Sequence, residues 1–308
     1  MVGLAMGAAL AVIVGANNGA ISLGANMGAH VITHRGAVTL SVLGMTIGFL
    51  LEGRRMQGAV FGVIQSEGNP AALLSIIVLS TAFILMVLST YAEIPLSLSQ
   101  TTVGAVAGAA LAVNLSIHTQ TLAAYFASWT LTPVAAAVLA ALIRSYLRRT
   151  RNENRSILRS TQLYAKLTIA TSTYTAYILG ANVLGVLAAT IEAPGLPRTT
   201  FVLLAAVGGT TLFHSRIAQT AGDKLSTLTP VSGLATQLSA AATLHLFTEF
   251  GIPSSMTQAL VGAILGTRLG RGVAISNRRL VRETVLWWLL APLVGLLLAN
   301  LLVRIWPI

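Results

Sequence analysis

From Pro70 to Tyr91 the chain runs through twenty-two residues without a charged side chain. About twenty apolar residues is the length of an α-helix that crosses the hydrocarbon core of a bilayer, where the backbone has no water to bond and must satisfy itself. Comparable runs lie at roughly 37–52, 120–143, 163–179, 199–213, 231–248 and 283–303, parted by short polar breaks. The chain carries 9% charged residues, against about a quarter in a soluble domain. These features predict an all-α polytopic membrane protein whose first partner is membrane lipid. The apolar runs are continuous rather than alternating, which excludes a transmembrane barrel. Several are shorter than a full crossing requires, so broken or re-entrant helices are expected beside plain spans.

A net charge of +11 would suit a nucleic-acid partner, but the basic residues cluster in short loops beside apolar spans. That is the positive-inside pattern of a membrane protein, and no nucleic-acid partner is expected. The chain has no cysteine, so disulfides and thiolate metal sites are excluded. The apolar run ending at Val14 lacks a basic segment before it and reads as a first helix rather than a cleaved leader.

One passage occurs twice. "IPLSLSQTTVGAVAGAAL" (Ile94–Leu111) returns as "IPSSMTQALVGAILGTRL" (Ile252–Leu269), with nine of eighteen positions identical. "GANNGAISLG" from Gly15 is answered by "GANVLGVLAA" from Gly180, and Trp129 and Pro133 by Trp288 and Pro292. The echoes keep their order at separations of about 158 to 165 residues, which marks a duplicated half. The first repeat is assigned to residues 1–143, a basic cytoplasmic linker to 144–162 and the second repeat to 163–308. The linker stretch Arg144–Arg159 holds six arginines. The loop after the first copy of the passage, Ala112–Thr121, has no Arg or Lys, whereas the loop after the second, Thr267–Arg282, has five arginines. Equivalent loops of opposite charge belong on opposite sides of a membrane, so the halves are expected to be inverted-topology repeats. With the linker inside, both termini fall outside the cell membrane.

The duplicated passage reads as the start of a short helix. Proline suits a first turn, serine and threonine can cap free N–H groups, and glycine and alanine allow close helix packing in lipid. Two such N-termini, one from each half, meeting near the midplane would offer unpaired N–H groups and positive dipole ends to an anion. Ser97, Ser99, Gln100 and Thr101 in the first copy, with Ser255, Thr257 and Gln258 in the second, supply uncharged donors. The competing reading, in which these side chains only bond their own helix backbone, is weakened by their recurrence in both copies.

The Gly-Ala-Asn motifs, the paired Pro-x-Ser-x-x-Gln motifs and "GDKLSTLTPVSGLATQLSAA" (Gly222–Ala241) resemble the inorganic phosphate transporter family, often called PiT, over essentially the whole chain. The resemblance implies a secondary transporter of inorganic phosphate, or of sulfate as in the sulfate permease branch, driven by H+ or Na+ and built from two inverted repeats, in a homodimer. It implies no other cofactor. Family members read Gly-Ala-Asn-Asp-x-x-Asn in both halves; here the aspartate places hold Asn18 and Val183. The family's Pro-x-Ser-Thr-Thr-His ends instead in Gln100 and Gln258. The resemblance therefore leaves Asn17, Asn18 and Asn182 as oxygen donors for a coupling cation, with no carboxylate in the motifs. Asp223 is the sole aspartate of the chain.

Glu93 and Glu249 stand just before Pro95 and Pro253, where a carboxylate beside a buried site can relay protons; the alternative is a solvated loop glutamate. Glu52, ahead of Arg54 and Arg55, reads as an interfacial ion pair. His30, His34, His118, His214 and His245 show no metal-ligand spacing. Three functions compete: a phosphate carrier by cation symport with protons favoured over sodium, a sulfate permease or passive anion channel on the same scaffold, and a membrane enzyme. Serine chemistry needs a base beside the nucleophile, and the repeated motifs hold no His, Lys or Asp, so an enzyme is not expected.

Overall fold

The computed structural model describes the chain except for residues 1, 29–31, 66–69, 93–95, 150–156, 192–197, 212–229, 269–277 and 307–308. The described residues are helical almost throughout. In chain order they form α1 (Val2–Gly28), α2 (His34–Glu52), α3 (Pro70–Tyr91), α4 (Leu98–Ala112), α5 (Thr119–Arg149), α6 (Ile157–Leu179), α7 (Gly185–Thr190), α8 (198–211), α9 (Pro230–Glu249), α10 (Met256–Arg268) and α11 (Arg278–Ile305). A π-turn, Gly180–Leu184, joins α6 to α7. The only strand pairing among the described residues is a two-residue antiparallel one, β1 (Ile64–Gln65) with β2 (Ser116–Ile117), too short for any hydrophobic pattern to announce.

Among the described residues five stretches are long and apolar enough to cross a membrane: Arg35–Val63, Leu74–Tyr91, Thr119–Arg149, Gln162–Thr190 and Val285–Ile305. Their outer faces are apolar too. α5 turns Leu131, Val134, Val138 and Leu142 outward, and α11 turns Leu289, Leu293, Leu297 and Leu301 outward, all exposed. At three- and four-residue spacing these form continuous stripes that water would not tolerate and lipid would. The basic stretch 144–162 is helical at both ends, and its middle, residues 150–156, lies outside the described residues. α5 continues to Arg149 and α6 begins at Ile157, as arginine and leucine both favour helix.

α4 and α10 cannot cross alone. At 1.5 Å per residue they span about 22 and 20 Å against a core of about 30 Å. Each instead packs back against the helix before it, α4 on α3 and α10 on α9, making two hairpins. Within α4 every residue from Leu98 to Ala110 is buried.

The halves are interlocked by exchanged glycine contacts. An added Cβ on Gly104 or Gly108 of α4 would overlap the carbonyls of Pro292 or Leu296 in α11; on Gly262 or Gly266 of α10 it would overlap those of Pro133 or Ala137 in α5. These are equivalent positions of the duplicated sequence, used reciprocally. The same exchange recurs where Gly15 meets Ala206 while Gly180 meets Met45, and where Gly48 meets Tyr177 while Gly209 meets Val12. Lipid supplies no hydrophobic drive between helices, so such backbone-to-backbone approach is what holds them.

A candidate anion site between two hairpin tips

The second hairpin reverses through a turn its sequence prescribes. α9 ends with the Ile252 N–H donating to the Phe247 carbonyl at 2.9 Å and the Gly251 N–H to the Thr248 carbonyl at 3.0 Å. That is the Schellman arrangement, and it needs a left-handed residue after the helix; Gly251 supplies it at φ +66°. Trp129 of α5 then donates its indole N–H to the Pro253 carbonyl at 2.8 Å, and α10 starts after Ser255. In the first hairpin α4 starts after Ser97, in extended conformation at φ −99°, ψ 119°.

The two tips touch. The Ser99 hydroxyl donates to the Ser254 carbonyl across the halves at 3.2 Å, with both residues buried. The starts of α4 and α10 thus lie side by side, where their unpaired N–H groups combine into one positive region. Ser97, Ser99, Gln100, Thr101, Ser255 and Gln258 are all buried and Thr257 is half-buried.

Their hydrogen bonds sort them by availability. The Thr101 hydroxyl donates to the Ser97 carbonyl at 2.9 Å and Ser99 is taken by Ser254, so these two protons are committed. Ser255 and Thr257 share one bond at 2.9 Å, leaving one hydroxyl proton between them free; the Ser255 oxygen also faces the Gln258 N–H at 3.5 Å. Ser97 caps α4 without a side-chain bond. The carbonyl oxygens of Gln100 and Gln258 and the hydroxyl of Ser254 are buried with no hydrogen-bond partner among the described residues. A buried polar atom left unpaired is costly, and three of them at one junction point to a polar ligand.

Beside each tip stands one of the Gly-Ala-Asn asparagines. Asn17 on α1 donates to the Thr90 hydroxyl at 3.4 Å. Asn182, fully buried in the π-turn, donates to the Thr248 hydroxyl at 3.0 Å and leaves its own carbonyl oxygen unpaired. π-turns inside helices recur at functional sites. Thr90 and Thr248 sit at matching places one turn before the tips, and Ser254 lies inside the second. Sequence reasoning passed over all three, although carrying the repeat alignment four residues upstream of Ile94 and Ile252 pairs the two threonines. The side chain of Asn18 and all of Glu93 lie outside the described residues.

Glu249 is the last residue of α9, so it is neither a free loop glutamate nor part of the tip junction. It pairs with Arg55 at 2.7 Å and approaches His245 at 3.2 Å. Glu52 also differs from the expected pairing with its neighbouring arginines. Its carboxylate accepts from the Tyr177 hydroxyl at 2.6 Å and lies 3.2 Å from His245.

Comparison with known proteins bears on what such a junction serves. The phosphate transporter family matches residues 14–176 and 152–299. The chain belongs to this family. It is therefore an integral membrane transporter and not an enzyme. It is similar to a protein of Methanocaldococcus jannaschii assigned as a phosphate permease, with 27% identity over 95% of this chain and 93% of the relative. A Pyrococcus abyssi protein assigned the same way is 24% identical, covering 98% and 97%. Among solved structures, a sodium-dependent phosphate transporter superposes with a TM-score of 0.85 at 19% identity, covering 99% of this chain and 98% of the other. At that identity the likeness establishes a shared fold.

Proposed function

We propose that this member of the phosphate transporter family carries inorganic phosphate across the cell membrane as a secondary transporter, coupled to protons in preference to sodium. The observation that carries the reading is the tip junction itself. Two helix starts from opposite halves meet through Ser99 and Ser254 and surround the contact with uncharged hydroxyls and amides. A site without a fixed cation binds an anion through many moderate bonds and can release it, as a carrier requires.

Phosphate is favoured over sulfate by the acceptors. Phosphate near neutral pH keeps a P–OH proton and sulfate has none. The unpaired carbonyl oxygens of Gln100 and Gln258 would each accept such a proton; against sulfate they would stay desolvated and unpaired. Protons are favoured over sodium because the Asn17 and Asn182 amides spend their N–H groups on Thr90 and Thr248 and offer oxygens without negative charge. A sodium ion there would depend on the bound anion for its charge balance. The exchanged contacts of the halves support the inverted-repeat arrangement, with the basic linker and the loop after α10 cytoplasmic and both termini outside.

Counterflow in proteoliposomes tests the substrate. Vesicles loaded with unlabelled phosphate should accumulate labelled phosphate against excess unlabelled external sulfate. Failure of phosphate to exchange, or equal competition by sulfate, would remove the phosphate assignment, and current without exchange would make the protein a channel.

A further inference from the structure

Away from the tip junction, three side chains distant in sequence converge. Glu52 is the last residue of α2, in the first half; His245 and Glu249 lie four apart on one face of α9, in the second. A ligand atom from each lies within 4.8 Å of the others. His245 Nε2 is 3.2 Å from Glu52 Oε2 and 3.2 Å from Glu249 Oε1. Yet Nε2 and Glu52 Oε2 are both buried atoms with no hydrogen-bond partner among the described residues.

The geometry points to a divalent metal site, of the zinc and cobalt class, held by Glu52 Oε2, His245 Nε2 and Glu249 Oε1. Metal bonds of about 2.0–2.1 Å in a tetrahedron put neighbouring ligand atoms about 3.3 Å apart, and the two histidine–carboxylate separations match that edge. Each ligand is also braced on its other atom, as metal ligands characteristically are. Tyr174 Oη lies 2.7 Å from His245 Nδ1, so the imidazole can donate there and leave the Nε2 lone pair for the ion. The Tyr177 hydroxyl donates to Glu52 Oε1 at 2.6 Å. Arg55 donates to Glu249 on Oε2 at 2.7 Å. The three braces thus occupy the outer atoms and leave the inner ones facing one another.

The charge balance agrees. Two carboxylates against one guanidinium leave −1 with a neutral imidazole, a net attraction for a divalent ion. One imidazole with two carboxylates suits zinc or cobalt better than magnesium or calcium, which take oxygen ligands. Glu249 and Arg55 are 41% and 42% exposed, which gives an ion a way in and leaves room for water as a fourth ligand. A bound metal would tie α2 to the last turn of α9, directly before the second tip.

The test uses the full chain purified in detergent and Co2+ as the probe, read by its visible d–d absorption. The wild-type protein should take up one equivalent, displaced by Zn2+, with the intense bands of a four-coordinate ion. Glu52→Gln and His245→Gln should each weaken binding tenfold or more while elution profile and helical circular dichroism are kept. An ion-pair network without metal affinity predicts no saturable absorption. That outcome, or unchanged affinity in both ligand variants, overturns the assignment. None of these readouts depends on which anion is carried.

Discussion

Ser97→Ala and Thr101→Val should behave oppositely, although the sequence offers Ser97 and Thr101 as equal candidates in one motif. Ser97 holds a hydroxyl at the start of α4 with no side-chain cap bond, so its proton is available to an anion. Removing a hydrogen bond to a charged ligand costs about 1.5–3 kcal/mol, or roughly 10- to 150-fold in affinity at about 1.4 kcal/mol per decade. Thr101 has already committed its hydroxyl to the Ser97 carbonyl at 2.9 Å, an oxygen that also accepts the Thr101 N–H at 3.0 Å. Valine keeps its shape and deletes a redundant bond, so phosphate affinity should change by less than about threefold, the effect of well under 1 kcal/mol. Equilibrium binding of labelled phosphate to each purified variant measures both numbers. Equal losses in the two variants, or undiminished affinity in Ser97→Ala, would refute the division of the motif into free and committed donors.

Three further outcomes are expected. Gly262→Val places a side chain against the Pro133 carbonyl of α5 and should abolish recovery of monodisperse protein, whereas the same change at Gly208, with open space around it, should not; size-exclusion chromatography separates them. Since the chain lacks cysteine, Ile275→Cys should resist a membrane-impermeant thiol reagent in intact cells and Gln120→Cys should react, and the reverse would invert the proposed topology. Asn18→Asp restores a carboxylate to the first Gly-Ala-Asn motif and should increase the sodium dependence of uptake in proteoliposomes; unchanged sodium dependence would detach that motif from cation coupling.

Much of the architecture was legible because lipid imposes simple rules. The span expected at 70–91 is α3 itself, and the 231–248 run is α9 to within a residue at each end, since an uncharged run has no other structure to adopt in a bilayer. The repeated passage marked the starts of two short helices, α4 and α10, whose glycines at matching places, such as Gly104 and Gly262, pack on matching prolines. Other features lay beyond any one-dimensional pattern. Glu52 and His245 stand 193 residues apart, and nothing local signals that α2 and α9 bring them together around Glu249. Which hydroxyls are free was equally hidden, since Ser99 is committed only through a carbonyl 155 residues away. The π-turn at Gly180–Leu184 left no mark either, because its five residues are ordinary helix formers apart from Gly180 and Asn182.

The coupling ion is tested most directly by energetics. Moving a doubly charged anion into a compartment at −100 mV costs about 4.6 kcal/mol, so concentrative uptake requires accompanying cations. The decisive measurement is labelled-phosphate uptake into proteoliposomes with a sodium gradient and a pH gradient imposed separately. Accumulation under an inward proton gradient in sodium-free buffer, abolished by a protonophore, is the result that the proposed proton coupling predicts. Accumulation driven by sodium alone and indifferent to collapse of the pH gradient would contradict it.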